Sequence, residues 1–190
     1  VYPIKVLKLM ECYGFISEIL NIKHLDLTNL EVYCSIKNFI NYEQTNVFVL
    51  SLILLKNNIP NIKEILVLTN NEYKFIEKIL LHKNEIINEH SIKKLFFLLK
   101  EKDIIRSIIV ANIVTNNSKN YVEEINHYMN YLNNLETIKL SIAIDDLKNM
   151  GIIQKDYGYY MELAKKYFIE NDFKCDKKNI LEYLQKVRHT

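Results

Sequence analysis

The chain has 190 residues, of which 49% are hydrophobic and 25% are charged, and its formal net charge is +2. This length suits one domain or two small ones, and the mixture of apolar and polar residues excludes a disordered chain. The longest apolar run, residues 47–55, is too short to cross a bilayer, so no membrane association is expected. A charge of +2 does not indicate nucleic-acid binding by itself, because phosphate contacts depend on local lysines and arginines.

The cysteines indicate a reducing compartment. Cys12, Cys34 and Cys175 are odd in number and widely spaced, which favours neither a disulfide framework nor a metal site. The amino-terminal segment carries Lys5 and Lys8 in an amphipathic pattern, and no signal peptide is expected. We therefore expect a cytoplasmic protein.

Three glycines and two prolines, with apolar residues repeating every three or four positions, predict an all-α protein. The predicted helices of the first part begin near Pro3, Phe15, Thr28, Glu43, Pro60, Thr69, Ser91, Ile104 and Tyr121. Thr28–Glu31 and Thr69–Glu72 have capping-box spacing, and Ser91 is expected to cap its helix. The helix that begins near Thr28 is expected to reach about Tyr42. The mostly apolar helix at about 43–57 is expected to form the buried centre.

The last fifty residues show the most specific order of elements. A short helix from Asp145 to Met150 ends at Gly151, a residue suited to the left-handed conformation that closes a helix. A second helix runs from Gly158 to about Ile169. After a break at residues 171–173, Asp176 is expected to cap a last helix.

The landmarks of this order are Asp146-Leu147, Gly151-Ile152, Gly158, Asp172-Phe173, and Leu181 with Leu184. In their order and spacing they resemble the tail of bacterial CCA-adding tRNA nucleotidyltransferases and the related poly(A) polymerases. Ile144, Gln154-Lys155 and Asn171 stand where the family pattern has Gly, Pro-Gly and Gly. Residues 6–15 and 66–72 are similar to segments of the family's body, so the resemblance covers nearly the whole chain.

The resemblance implies an irregular multi-helix body at residues 1–135, which binds RNA, and a small helical tail at residues 136–190. Both parts are noncatalytic, because the Asp-x-Asp motif of the family's catalytic head is absent. The implied partners are tRNA and the catalytic head and neck of the same enzyme. The parent enzyme would use ATP, CTP and Mg²⁺, none of them held by this chain, to add CCA, A only or poly(A). Because the sequence begins at Val1, we expect part of a longer protein.

The candidate RNA-binding residues are the tail lysines Lys148, Lys155, Lys165, Lys166, Lys174, Lys177 and Lys178. They flank the Gly151 loop and the start of the last helix, where free amides suit a phosphate. Nearby carboxylates nearly cancel their charge, so a merely solvated surface is the alternative. Tyr157, Tyr159 and Tyr160 could stack on exposed bases, although helical spacing favours core packing for Tyr160. A second candidate patch consists of Lys93, Lys94, Lys100 and Lys102.

Three further groups are assigned structural roles. Asp145-Asp146 is expected to start a helix, since adjacent carboxylates point in different directions. Asp103 and Arg106 are expected to form an intrahelical ion pair in preference to a nucleotide template. A solvated inter-helix segment is favoured over a zinc site for His82, Glu85, Glu89 and His90. The competing function for the whole chain is an all-helical protein-interaction module with no RNA role.

Overall fold

The computed structural model describes residues 3–40, 42, 45–59, 61–116 and 120–188. Over these ranges the chain forms twelve α-helices and one 3₁₀ turn, with no β-strand. The prediction of an all-α, multi-helix array is confirmed.

The helices divide between two compact units, Val1–Leu135 and Glu136–Thr190, which we call the body and the tail. The body contains α1 (Pro3–Cys12), α2 (Phe15–Leu20), α3 (Thr28–Ile36), α4 (Asn46–Leu54), α5 (Ile62–Ile65), α6 (Asn70–Leu81), α7 (Glu89–Leu99), α8 (Lys102–Thr115) and α9 (Tyr121–Asn134). The tail contains α10 (Ile144–Asn149), the 3₁₀ turn Gln154–Asp156, α11 (Tyr157–Glu170) and α12 (Lys177–Arg188). The RNA-binding roles of the two parts stay predictions.

The centre of the body is α8. Its residues from Ser107 to Val114 are all buried, and the helix packs against α3, α6, α7 and α9. The predicted centre, α4, also buries Phe48 and Leu52 completely, but it packs against α3 and α6. Helix α4 is therefore one wall of the core. The prediction missed this because apolar composition alone does not say how many neighbours surround a helix.

The capping box at Thr69 is confirmed. Thr69 Oγ1 accepts a hydrogen bond from the Glu72 amide at 3.3 Å, and Glu72 Oε2 accepts one from the Thr69 amide at 2.9 Å. These contacts satisfy two of the free amides at the start of α6.

The prediction of a capping box at Thr28 is wrong. The Glu31 carboxylate contacts Lys8 Nζ at 2.5 Å, and the Thr28 amide donates instead to Asp26 Oδ1 at 2.9 Å. The helix also ends at Ile36, short of Tyr42. A lysine from α1 thus competes for the carboxylate that a local pattern assigned to the helix start.

One more helix start and one helix end differ from the prediction. Ser91 lies in the first turn of α7, and Asn88 is the cap, its Oδ1 accepting from the Ser91 amide at 2.8 Å. Helix α5 has only four residues, Ile62–Ile65, whereas the sequence pattern predicts a helix of about two turns that reaches Leu68. The predicted starts at Glu43 and Pro60 and part of the loop at 115–120 lie outside the described residues.

The tail has the predicted order of helix, glycine loop, helix, break and helix. Its interior consists of Ile142, Leu147, Ile152, Ala164, Phe168, Ile180 and Leu184, all buried. Asp176 caps α12 as predicted, because its Oδ1 accepts from the Asn179 amide at 2.8 Å. This small apolar interior packs together the helices and connections that carry the candidate lysines.

Candidate nucleic-acid interface

The Gly151 loop begins with a Schellman motif at the end of α10. The Ile152 amide donates to the Leu147 carbonyl at 3.1 Å, and the Gly151 amide donates to the Lys148 carbonyl at 2.9 Å. Gly151 has φ 71°, a left-handed conformation in which glycine carries no steric penalty. Leu147 and Ile152 are both buried, as the motif's accompanying apolar contact requires.

Arg188 contacts this loop from the far end of the tail. Its Nη1 donates to the Met150 carbonyl, and its Nη2 lies 3.5 Å from the Gly151 carbonyl. A Cβ placed on Gly151 would lie 3.7 Å from both guanidinium nitrogens. The guanidinium therefore satisfies carbonyls that have no partner within the helix.

Lys177 acts at the other end of α10. Its Nζ lies 2.6 Å from Asp146 Oδ1, while Asp146 Oδ2 accepts from the Ala143 amide at 2.9 Å. The Lys177 hydrogen bond and the Ala143 amide hold the pKa of the Asp146 carboxyl below its usual value of 3.8. The helix-start role predicted for Asp146 is confirmed, and Lys177 is drawn into a structural contact.

The same contacts bear on metal binding. Both oxygens of Asp146 already have protein partners, and Asp145 is exposed beside it. Among the residues that the structure describes, no group of three His, Cys, Asp or Glu side chains could hold a metal ion. The Asp146 carboxylate is therefore engaged in contacts within the tail.

Four other candidate lysines pair with acidic side chains within the tail. The pairs are Lys165 with Glu162 at 2.5 Å, Lys166 with Glu170 at 3.9 Å, Lys174 with Asp172 at 2.9 Å and Lys178 with Glu182 at 3.9 Å. Exposed pairs of this kind are weak, so a phosphate could displace the carboxylates. At the start of α12, however, Asp176 already occupies the position that a phosphate would take.

Lys148 and Lys155 are different. Both side chains are exposed, and in the described part of the chain neither has an acidic partner within 4.0 Å. Ile144, Ile153 and Tyr159 are exposed in the same stretch. We call these five residues the Gly151 loop surface, which combines two exposed ammonium groups with three exposed apolar or aromatic side chains that are close to them in sequence.

The aromatic side chains of this stretch separate into two kinds. Tyr159 is 61% exposed, whereas Tyr157 and Tyr160 are half-buried. The Tyr160 ring meets Tyr159 edge to face, with the centroids 5.4 Å apart. Tyr159 is therefore the tyrosine that presents a ring to solvent, and Tyr160 supports it.

Arg106, Lys94 and Lys102 of the body have structural partners, whereas Lys100 is exposed and has no acidic partner within 4.0 Å in the described part of the chain. Arg106 Nη1 pairs with Asp103 Oδ1 at 2.7 Å, which confirms the intrahelical ion pair, and Arg106 Nη2 donates to Asn133 Oδ1 at 2.8 Å. In the second lysine patch, Lys94 Nζ lies 2.6 Å from Glu85 Oε1, and Lys102 donates to the Asn133 carbonyl at 3.0 Å. Neither lysine is as available as Lys148 or Lys155.

In the segment predicted to be solvated, Glu89 and His90 are exposed, but His82 and Glu85 are less solvated than predicted. His82 Nδ1 lies 3.1 Å from Glu85 Oε2, and both side chains are largely buried, at 13% and 17% exposure. Burial raises the pKa of the Glu85 carboxyl, but hydrogen bonds from Lys94 and His82 outweigh it, so the pKa lies below its usual value. The pair lies at the end of α6 and in the connection that follows, and Lys94 of α7 contacts Glu85 from the other side of that connection.

Comparison with protein-family models, with curated proteins and with solved structures finds no match for this chain. In the described ranges, none of the helices combines the length and apolar character that a membrane span needs.

Sequence reasoning missed Arg188. Arg106 and Arg188 are the only arginines among 25 basic residues. Both arginines contact two acceptors, which a guanidinium can do and an ammonium does less well. In a lysine-rich chain, the rarity of arginine was the sequence feature that could have indicated these two specific contacts.

Proposed function

We propose that this chain is the noncatalytic tRNA-binding body and tail of a CCA tRNA nucleotidyltransferase. The parent enzyme would add CMP and AMP to the 3′ end of tRNA. The observation that carries the proposal is the Gly151 loop surface, in which two exposed lysines without acidic partners in the described part of the chain share a short stretch of sequence with an exposed tyrosine. It lies within the stretch whose order of residues resembles the family's tail.

The chemistry of this surface suits RNA. Lysine ammonium groups contact phosphates without reading sequence, and such contacts fix the register and orientation of the nucleic acid. An exposed aromatic ring adds a stacking platform for an unpaired base. The tail would anchor a folded RNA so that its 3′ end is held near the reacting groups of the enzyme.

Nucleotide transfer would take place elsewhere in the parent enzyme. The catalytic head and neck would bind ATP, CTP and Mg²⁺, and this chain would supply positioning alone. Helix α1 exposes Val6 and Leu9, the turn after it exposes Tyr13, and α2 exposes Phe15 and Ile19. Exposed apolar side chains gathered on two contacting helices are typical of an interaction surface, and we propose the head and neck as its occupant.

The same exposed apolar side chains also favour the competing function, an all-helical protein-interaction module with no RNA role. Under that function the lysines of the Gly151 loop surface would be solvated charges only. The two functions therefore make opposite predictions for substitutions at Lys148 and Lys155.

A filter-binding titration of the full chain with tRNA at several salt concentrations tests the proposal. We expect the double variant Lys148→Ala/Lys155→Ala to bind at least about tenfold more weakly in low salt. The slope of log affinity against log salt should fall by about 1.4–1.8, because two phosphate contacts are lost.

The matched control is Lys5→Ala/Lys74→Ala, which removes two exposed lysines without an acidic partner in the described part of the body. Its effect on affinity should be clearly smaller. Failure of the native chain to bind tRNA in low salt, or an unchanged affinity in the tail variant, would favour the interaction module. Lys177 is unsuitable for this test, because its removal also disturbs Asp146.

A further inference from the structure

Helix α10, which carries Lys148, is too short to be stable by itself. It has six residues, and isolated helices below about 12 residues are marginal in water. Its Schellman motif satisfies some carbonyl groups at its end, and the buried Leu147 attaches it to the tail's interior. The conformation of this helix therefore depends on contacts from outside it.

Helix α12 supplies such contacts at both ends. Lys177, the first residue of α12, binds the Asp146 carboxylate near the start of α10. Arg188, the last residue of α12, binds the Met150 and Gly151 carbonyls at the end of α10. A positive charge at the carboxyl end of a helix is also electrostatically favourable. The two cations of one helix thus hold the two ends of another.

An arginine suits the second position because two acceptors lie there. The guanidinium has several N–H donors in a rigid plane, whereas an ammonium is a compact charge on a flexible stem. In the sequence, Lys148 precedes and Lys155 follows Met150 and Gly151, whose carbonyls Arg188 contacts. The Lys148 carbonyl itself accepts the Gly151 amide in the Schellman motif.

We infer that Arg188 is a positioning residue that sets the spacing of Lys148 and Lys155, so that the loop meets RNA phosphates already ordered. This inference rests on the proposed function and assigns Arg188 no contact with RNA. Without the Arg188 contacts, the last turn of α10 frays and the loop must be ordered when RNA binds. That ordering weakens binding without removing a phosphate contact.

The test uses Arg188→Lys in the full chain, which keeps the positive charge and removes the planar donor group. Two readouts are needed, limited trypsin cleavage after Lys148 and Lys155, and tRNA affinity as a function of salt. We expect cleavage at these lysines to be about tenfold faster, because local opening exposes the loop. Affinity for tRNA should fall about fivefold to tenfold while the salt slope stays near that of the native chain.

Two comparisons separate positioning from a general loss of structure. Arg106→Lys, which alters the other two-acceptor arginine, should leave cleavage at Lys148 and Lys155 unchanged. In the Lys148→Ala/Lys155→Ala background, Arg188→Lys should have little further effect on affinity, because the positioned groups are already absent. If Arg188→Lys loses helical circular dichroism, Arg188→Gln, which retains an N–H donor, replaces it.

Unchanged cleavage in Arg188→Lys overturns the inference, since the loop is then held without Arg188. Faster cleavage with unchanged tRNA affinity overturns the positioning of the lysines. A salt slope that falls by about one in Arg188→Gln, which removes the charge, indicates that Arg188 itself contacts a phosphate, which also overturns it. If the native chain fails to bind tRNA, the proposed function fails, and the cleavage rates still report whether Arg188 holds the loop.

Discussion

The body and the tail are stabilised in different ways. In the body, α8 buries an unbroken run of side chains and has helices packed on several sides. The tail has a much smaller apolar interior. It is stabilised in addition by charged side chains that contact the two ends of α10. A small unit buries a smaller fraction of its surface, so polar contacts at helix ends carry more of its stability.

This difference changes how the charges of the two units should be interpreted. Lys177 and Lys178 are adjacent and both exposed in part, yet Lys177 contacts Asp146 at 2.6 Å and Lys178 lies 3.9 Å from Glu182. One lysine holds α10 and the other forms a weak surface pair. In a small helical unit, a cation cannot be assigned to a ligand before its structural contacts are known.

The largest expected effect is in the core of the body. Ile108 is completely buried in α8, and Ile108→Ala should lower the free energy of unfolding by about 2–5 kcal/mol through lost burial and a cavity. Denaturant unfolding followed by circular dichroism measures this. Ile86→Ala is the control, because Ile86 is 77% exposed and should change stability by less than about 0.5 kcal/mol.

The next effect compares two helix ends. Gly151 in the tail and Val67 in the body both have positive φ, 71° and 50°, at the corresponding position of a Schellman motif. Gly151→Val should destabilise the tail by at least about 1–2 kcal/mol, because a branched side chain is strained there. Val67→Gly should relieve that strain in the body, with a net gain of up to about 1 kcal/mol. Thermal unfolding of the two variants measures both.

Gly158→Ala is the control for the glycine position. Gly158 lies within α11, and an added Cβ would meet no atom within 4 Å. Alanine should therefore stabilise the tail by about 0.5–1 kcal/mol, because it lowers the entropy of the unfolded chain. Destabilisation by both glycine substitutions would contradict the assigned role of the left-handed conformation.

A smaller effect should appear with pH. The pKa of the Asp146 carboxyl is lower in the folded tail than its usual value of 3.8, because Lys177 and the Ala143 amide bind the charged form. Between these two pKa values the unfolded state binds more protons, so stability rises with pH through this window. The contribution is complete above about pH 4 and is lost as pH falls through the folded pKa.

Acid unfolding of the native chain and of Asp146→Asn checks this expectation. Asp146→Asn removes the titrating group and should be less stable at neutral pH, with a weaker loss between pH 4 and the folded pKa. The same slope in both proteins would show that other carboxylates control acid unfolding.

The smallest effect is expected for Lys178→Ala. Its ion pair with Glu182 is exposed and long, so stability should change by no more than about 0.5 kcal/mol. Lys177→Ala should cost more, since it leaves Asp146 without its cation. Thermal unfolding of the two single variants measures the difference. Equal effects would argue against a stabilising contact between Lys177 and α10.

Much of the local structure followed from short-range patterns. The Gly151 helix end, the Thr69 capping box and the Asp176 cap were each predicted from residues close together in the chain. The capping box predicted at Thr28 from the same kind of local pattern was wrong, because Lys8, 23 residues away, contacts the Glu31 carboxylate. Local patterns predict helix ends well only where no distant side chain competes.

The candidate site was only partly predictable. Lys148 and Lys155 were on the candidate surface with five other lysines, and nothing in the spacing distinguished them. Their difference depends on which carboxylates lie nearby in space. The role of Arg188 could not be predicted from local patterns, because its contact with Met150 joins residues 38 positions apart.

The sequence by itself determined the all-α class and the order of elements in the tail, because hydrogen bonds over three to six residues and apolar periodicity set them. Only the tertiary structure decided that α8 occupies the centre of the body, that Lys177 holds α10, and that Arg188 binds the carbonyls of the Gly151 loop. These features depend on groups distant in the chain meeting in space, and the apolar packing of whole helices decides which groups meet.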